Sequence, residues 1–202
     1  LTKEQLHRVT MVRRLKSDEG LAERFCNRDI EPIYIDYSDE ERTAHALLQQ
    51  YSKSRRSVAT GSDYIAVEFV LKTIKKRFFS SPAAFRSTLE THLKTLTEPK
   101  DQEKKKSAPG ILARMLKEME DAENNLAEES IDQDELIDST VQLASKEGPR
   151  ATPEQIAMLN ELLSWARRAE MLPDTRLRVL MEWLDEHIKP GGKWTNERVI
   201  IF

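Results

Sequence analysis

Two segments of this chain spell out the start of a helix in full, and that punctuation constrains the fold more than any other feature. Ser38-Asp39-Glu40-Glu41 and Thr152-Pro153-Glu154-Gln155 both match the capping box. In that motif a hydroxyl accepts from the amide three residues on, while a Glu or Gln side chain reaches back to the cap's own amide. Ser81-Pro82 and Asp174 add two further starts, a proline being favourable in the first helical turn where its missing N–H costs nothing. Each start is followed by apolar residues three and four apart, so each helix has one stripe to bury. With 6 glycines in 202 residues and many Leu, Glu, Lys and Arg, the chain favours helices packed on helices over a sandwich or barrel.

The spacing predicts helices over Asp39–Arg55 (Ala44, Leu47, Leu48 and Tyr51 on one face) and Asp63–Phe79 (Val67, Val70, Leu71, Ile74 and Phe78). A third runs from Pro82 to about Leu96, with Phe85, Leu89, Leu93 and Leu96 in line. Residues 97–109 read as a polar, mobile linker. Two acidic helices follow within 110–147, from Ile111 to about Ala127 and from Gln133 to about Lys146. The helix after Thr152 carries Ile156, Leu159, Leu163 and Ala166, and the last, capped by Asp174, carries Leu177, Leu180, Met181, Leu184 and Ile188. Trp165 and Trp183 lie beside these stripes and are expected in the core, with Trp194 packing on a neighbouring lobe. Two short strands are predicted: Ile33–Tyr37 after Pro32, and the wholly apolar Val199–Phe202, which suits a strand buried on both faces.

Several classes drop out. No stretch approaches the roughly 18–20 apolar residues of a membrane span, and the N-terminus shows no apolar signal segment. A single cysteine, Cys26, excludes an internal disulfide framework and fits a reducing cytosol. The four histidines are scattered without cysteine partners, which argues against a structural zinc site. Gly191-Gly192-Lys193 superficially resembles the end of a phosphate loop, but the first loop glycine would fall at His187 and Trp194 replaces the Ser/Thr. Asp185-Glu186-His187 lies near the end of an amphipathic helix and reads as a solvated helix end.

The charge is uneven. Residues 101–147 hold 6 basic and 13 acidic side chains inside a body that is mildly basic, and the formal net charge of −3 hides this. Candidate nucleic-acid-binding residues are the cluster Arg13, Arg14 and Lys16, and the stripe Lys72, Lys75 and Lys76 with Arg77 beside it. These could neutralise DNA phosphates; the plainer alternative is a solvated helix face. Arg55 and Arg56, ending the previous helix, are a further basic cluster that could meet phosphates; the plainer alternative is surface cations favoured by the helix dipole.

The blocks in order resemble a known family. Met11-Val12-Arg13-Arg14-Leu15-Lys16-Ser17-Asp18 is similar to the "L-R-R-x-K" block near the end of the first RecA-like lobe of Swi/Snf-family helicase-like ATPases. The extended segment Ile33–Ser38 and the helix from Glu40 to Tyr51 take the places that follow in the family. Asp174 through Leu184 looks like the first helix of the second lobe, with Arg176 where Lys is usual. Gly191-Gly192-Lys193 and Arg198–Phe202 look like the turn and strand after it. The stretch from Glu68-Phe69-Val70-Leu71 through Phe78–Phe85 is similar to bacterial members, so a bacterial cytoplasm is implied. Residues 97–150 match no block of the family.

The resemblance implies a fragment: 1–37 as the end of lobe one, 38–172 as a helical insertion, 173–202 as the first helix and strand of lobe two. The expected fold class is mainly α, a bundle-like insertion with a few short strands belonging to flanking RecA-like lobes. No catalytic, cofactor or metal residues are expected in the fragment; the resemblance puts ATP and Mg²⁺, and ATP-driven translocation on double-stranded DNA, in the parent protein. Implied partners are the duplex and the missing lobes, with self-association through the orphaned terminal strand a further expectation. The competing expectation is a helical protein-interaction or regulatory module that touches no DNA and docks a partner through its acidic helices.

Overall fold

The computed structural model describes residues 30–61, 63–98, 117 and 131–201. The chain divides into two compact units, 1–34 and 35–202, and the second holds every helix detailed below. These are α1 (Asp39–Val58), α2 (Asp63–Ser80), α3 (Pro82–Thr97), α4 (Ile131–Glu147), α5 (Pro153–Ala169) and α6 (Thr175–His187), then a single 3-10 turn at Pro190–Gly192. The protein is mainly helical.

The starts form as the sequence dictates. Glu41 donates its amide to Ser38 Oγ (3.2 Å) and returns its carboxylate to the Ser38 amide (2.8 Å). Gln155 and Thr152 repeat the exchange at 3.3 and 3.1 Å. Ser81 Oγ accepts from the Ala84 amide and Asp174 from the Leu177 amide. Each cap satisfies amides that the helix itself leaves without partners.

Packing places α3 at the centre, against α2, α4 and α5, while α1 lies on α2 and α5 and α2 also meets α4. The directions follow from the cross-contacts. Ser87 meets Asp138 and His92 meets Ser145, so α3 and α4 run parallel. Arg86 meets Glu170 and Arg167 meets Glu90, so α3 and α5 run antiparallel. The core holds Tyr51, Ile74, Phe85, Leu89, Leu159 and Leu162, all fully buried. Phe78 stacks on Trp165 (ring centroids 5.3 Å) and meets Phe85 edge-on at 5.1 Å, closing the α2–α3–α5 end.

Three expectations need correction. There is no strand among the described residues: 33–37 and 199–201 are irregular, and Phe202 lies outside them. A strand satisfies its backbone only through a neighbouring strand, and an apolar run without one makes no ladder. The second acidic helix, α4, buries Val141 and Ala144 in the bundle core. The stripe of α6 is only partly covered, with Leu177 47 % and Met181 49 % exposed. Trp183 is half-buried and stacks on His187 one turn on (centroids 4.7 Å) instead of entering the core. The linker expected at 97–109 falls outside the described residues after Glu98, as does the helix at 111–127 apart from Lys117, which is helical.

Leu89 is fully buried on the central helix. Leu89→Ala is expected to lower the unfolding free energy by about 2–5 kcal/mol, the range for a buried leucine that leaves a cavity. Urea denaturation checks it, with the slope of the transition unchanged.

Candidate functional site

Helix α2 lies against α1, α3 and α4, so only one face of it is open to solvent. At about 100° per residue, Lys72, Lys75 and Lys76 share that face, and all three are exposed. Exposed Tyr64 and Ile65 precede them and Phe79 follows. Arg77 does not belong to the stripe. It sits about 100° further round the helix from Lys76, half-buried, where it pairs with Asp134 of α4. Arg13, Arg14 and Lys16 lie outside the described residues. Of the sequence-derived candidates, the structure therefore brings together three lysines on one helical turn and pairs the arginine beside them with Asp134.

The same face holds one feature the stripe did not reveal. Arg56, at the end of α1, pairs with Glu68 of α2 through both its Nε and Nη2, the second contact at 3.3 Å. Glu68 is one turn before Lys72. Its carboxyl is held below the usual range, first by the hydrogen bond from Arg56, against a smaller opposing effect of burial.

Arg55, expected as a surface cation, is 2 % exposed. Its guanidinium donates to the carbonyls of Pro149 (3.0 Å) and Arg150 (3.5 Å) and to Gln155 Oε1 (3.1 Å). Gln155 Oε1 also accepts from the Thr152 amide, and Gln155 Nε2 donates to Ser54 Oγ at 2.9 Å. No carboxylate of the described residues pairs with Arg55, and burial lowers its pKa.

Beside it runs a second buried chain. The Tyr51 hydroxyl lies 2.6 Å from His92 Nε2, and His92 Nδ1 lies 2.6 Å from Ser145 Oγ. A neutral imidazole donates at one nitrogen and accepts at the other, so the two hydroxyls take complementary roles. Serine, histidine and tyrosine in a row suggest an activated nucleophile, but Ser145 is 2 % exposed. The adjoining cavity, lined by Arg55, Val67, Val70, Leu71, His92 and Gly148 among others, measures about 10 Å³. That is room for about one water molecule and no substrate. The relay is therefore structural: it satisfies polar groups inside the core and joins α1, α3 and α4.

Among the described residues no group of three His, Cys, Asp or Glu side chains could hold a metal ion. Gly191 and Gly192 both take positive φ (62° and 80°) in the 3-10 turn, which shapes a tight corner, not a phosphate cradle opening a helix. No helix among the described residues is long and apolar enough to cross a membrane. No family model, curated protein or solved structure matches the chain.

Two predictions follow from the buried networks. Arg55→Ala takes the guanidinium donor from the Pro149 and Arg150 carbonyls and one of two donors from Gln155 Oε1, and is expected to cost about 2–4 kcal/mol, measured by chemical denaturation. His92 is held neutral by burial, its pKa pushed down from 6.5 to about 3. Between those values the unfolded chain binds a proton that the folded protein refuses. Stability is thus fully present above about pH 6.5 and falls as pH drops toward 3. Denaturation between pH 7 and 5 is expected to show this slope, and His92→Gln to flatten it. That window lies above the range in which carboxylates such as Glu41 and Glu68 contribute.

Proposed function

We propose that this chain belongs to a Swi/Snf-type, DNA-dependent, ATP-driven translocase, with residues 38–172 as its helical insertion, and that the open face of α2 meets the phosphate backbone of the duplex. The observation that carries the reading is the exposure of Lys72, Lys75 and Lys76 together on the one face of α2 that its neighbours leave uncovered. From Lys72 to Lys76 spans about 6 Å of helix axis, enough to meet successive phosphates of one strand, which recur every ~3.4 Å of duplex axis. The order of blocks supports the same reading: the basic block at 11–18, the extended segment, α1, and later α6 with its double-glycine turn. Leu177, Met181, Ile200 and Ile201 are exposed apolar residues of the kind that a RecA-like lobe would cover.

In this role the insertion binds and positions. ATP and Mg²⁺ belong to the parent enzyme, and the described residues supply neither a phosphate cradle nor a metal cluster, so no step of phosphoryl transfer is assigned to them. A second reading, a helical module that docks a partner protein without touching DNA, is favoured by the half-exposed Leu177 and Met181 on α6.

Salt dependence separates the two. The chain is expected to bind a fluorescein-labelled 20-base-pair duplex with an affinity that falls steeply from about 50 to 200 mM salt. Lys72→Gln with Lys75→Gln should weaken binding and reduce the slope of log K against log salt by about 2, with helix content by circular dichroism unchanged. A slope untouched by these substitutions removes the lysine face and leaves the docking reading in its place.

A further inference from the structure

The lysine face ends on an ion pair that holds a fourth cation. Arg56 arrives from α1 and is 46 % exposed, while its partner Glu68 is 18 % exposed and stands on α2 one turn before Lys72. Along the α2 axis, Glu68, Lys72, Lys75 and Lys76 fall at about 0, 6, 10.5 and 12 Å. Arg56, seated on Glu68, therefore continues the row of positive charge by one more turn. About 12 Å of row is long enough to meet more than one phosphate of a duplex strand.

Resting on the nucleic-acid reading above, we infer that Glu68 is a built-in counter-ion that competes with phosphate for Arg56, so that binding exchanges the Glu68–Arg56 pair for a phosphate–Arg56 pair. The chemistry suits an exchange. A guanidinium grips a carboxylate and a phosphate with the same two-pronged geometry. A pair this exposed is held weakly, because water and salt screen it. Glu68 is ionised at neutral pH, since the Arg56 hydrogen bond keeps its carboxyl below the usual range. Lys72, one turn on, adds a smaller effect in the same direction on Glu68. The effect of the pair is to weaken contact with isolated phosphates, which supply a single charge, relative to a polyanion that engages the whole row.

The test uses the full chain and the labelled 20-base-pair duplex, titrated from 50 to 200 mM salt. Glu68→Gln is expected to bind about fivefold tighter at the low-salt end, with a slope steeper by about 1, the equivalent of one further phosphate. Made in an Arg56→Gln background and compared with Arg56→Gln alone, Glu68→Gln should bring neither gain. Glu68→Ala serves as the second variant if the first loses helix content. The inference is overturned if wild type binds and Glu68→Gln binds no tighter. It is overturned as well if the gain survives without Arg56, for then the carboxylate acts on the general field and not through the pair. A wild-type chain that shows no salt-dependent binding brings down the nucleic-acid reading itself, an outcome distinct from both.

Discussion

A buried guanidinium with no carboxylate partner among the described residues sets the terms for this bundle. Arg55 sits at the end of α1, yet its donors reach the backbone of the α4–α5 turn and the capping glutamine of α5. Removing that charge from water is costly, and only a full set of acceptors makes it tolerable. Three acceptors converge on it: the Pro149 and Arg150 carbonyls and Gln155 Oε1, which the Thr152 amide also reaches. The cap of α5, the turn before it and the end of α1 are therefore one unit. Gly148 belongs to it for reasons of space: a Cβ there would meet Val67 Cγ2 at 3.3 Å and Arg55 Nη2 at 3.4 Å. The backbone passes so close to the guanidinium that a larger residue must push one of them aside.

From that unit the rest of the arrangement follows. α4 is held against α2 and α3 by Val141 and Ala144 and by the His92–Ser145 contact, and it runs parallel to α3. With α1, α3 and α4 packed around it, α2 keeps a single open face, and its lysines occupy that face. α6 is attached differently. Its first turn is fixed by Thr175, which donates its hydroxyl and amide to the same Glu41 that closes the capping box of α1. Arg176 adds bonds to the Phe79 and Ser80 carbonyls at the end of α2. Polar contacts at one end thus fasten a helix whose apolar side remains partly uncovered.

The helices were legible because their signals are local. Ser38–Glu41, Ser81-Pro82, Thr152–Gln155 and Asp174 each act on amides within three residues, and the observed starts agree with them. The apolar stripe of α2 was equally plain, since all five predicted positions, Val67, Val70, Leu71, Ile74 and Phe78, are buried. The strands failed because ladder hydrogen bonds need a second strand, a long-range condition that composition does not carry. Of the candidate site, the lysine stripe could be read from spacing. The removal of Arg77 by Asp134 could not, as the two are 57 positions apart. Nor could the pairing of Arg56 with Glu68 across the α1–α2 turn, although the two charges were visible.

By itself the sequence determined that this protein is built of helices, where most of them start, and which stripe each of the first three presents to the core. Those properties rest on interactions within one or two helical turns. The tertiary structure alone decided which of two adjacent arginines is buried. Arg55 points into the bundle because α5 and the turn before it present three acceptors there. Arg56, one residue and about 100° further round the helix, meets Glu68 at the surface. The same separation distinguishes Lys76 from Arg77. A charge's role in this molecule depends on what another helix brings within about 3 Å of it, and no local pattern encodes that distance.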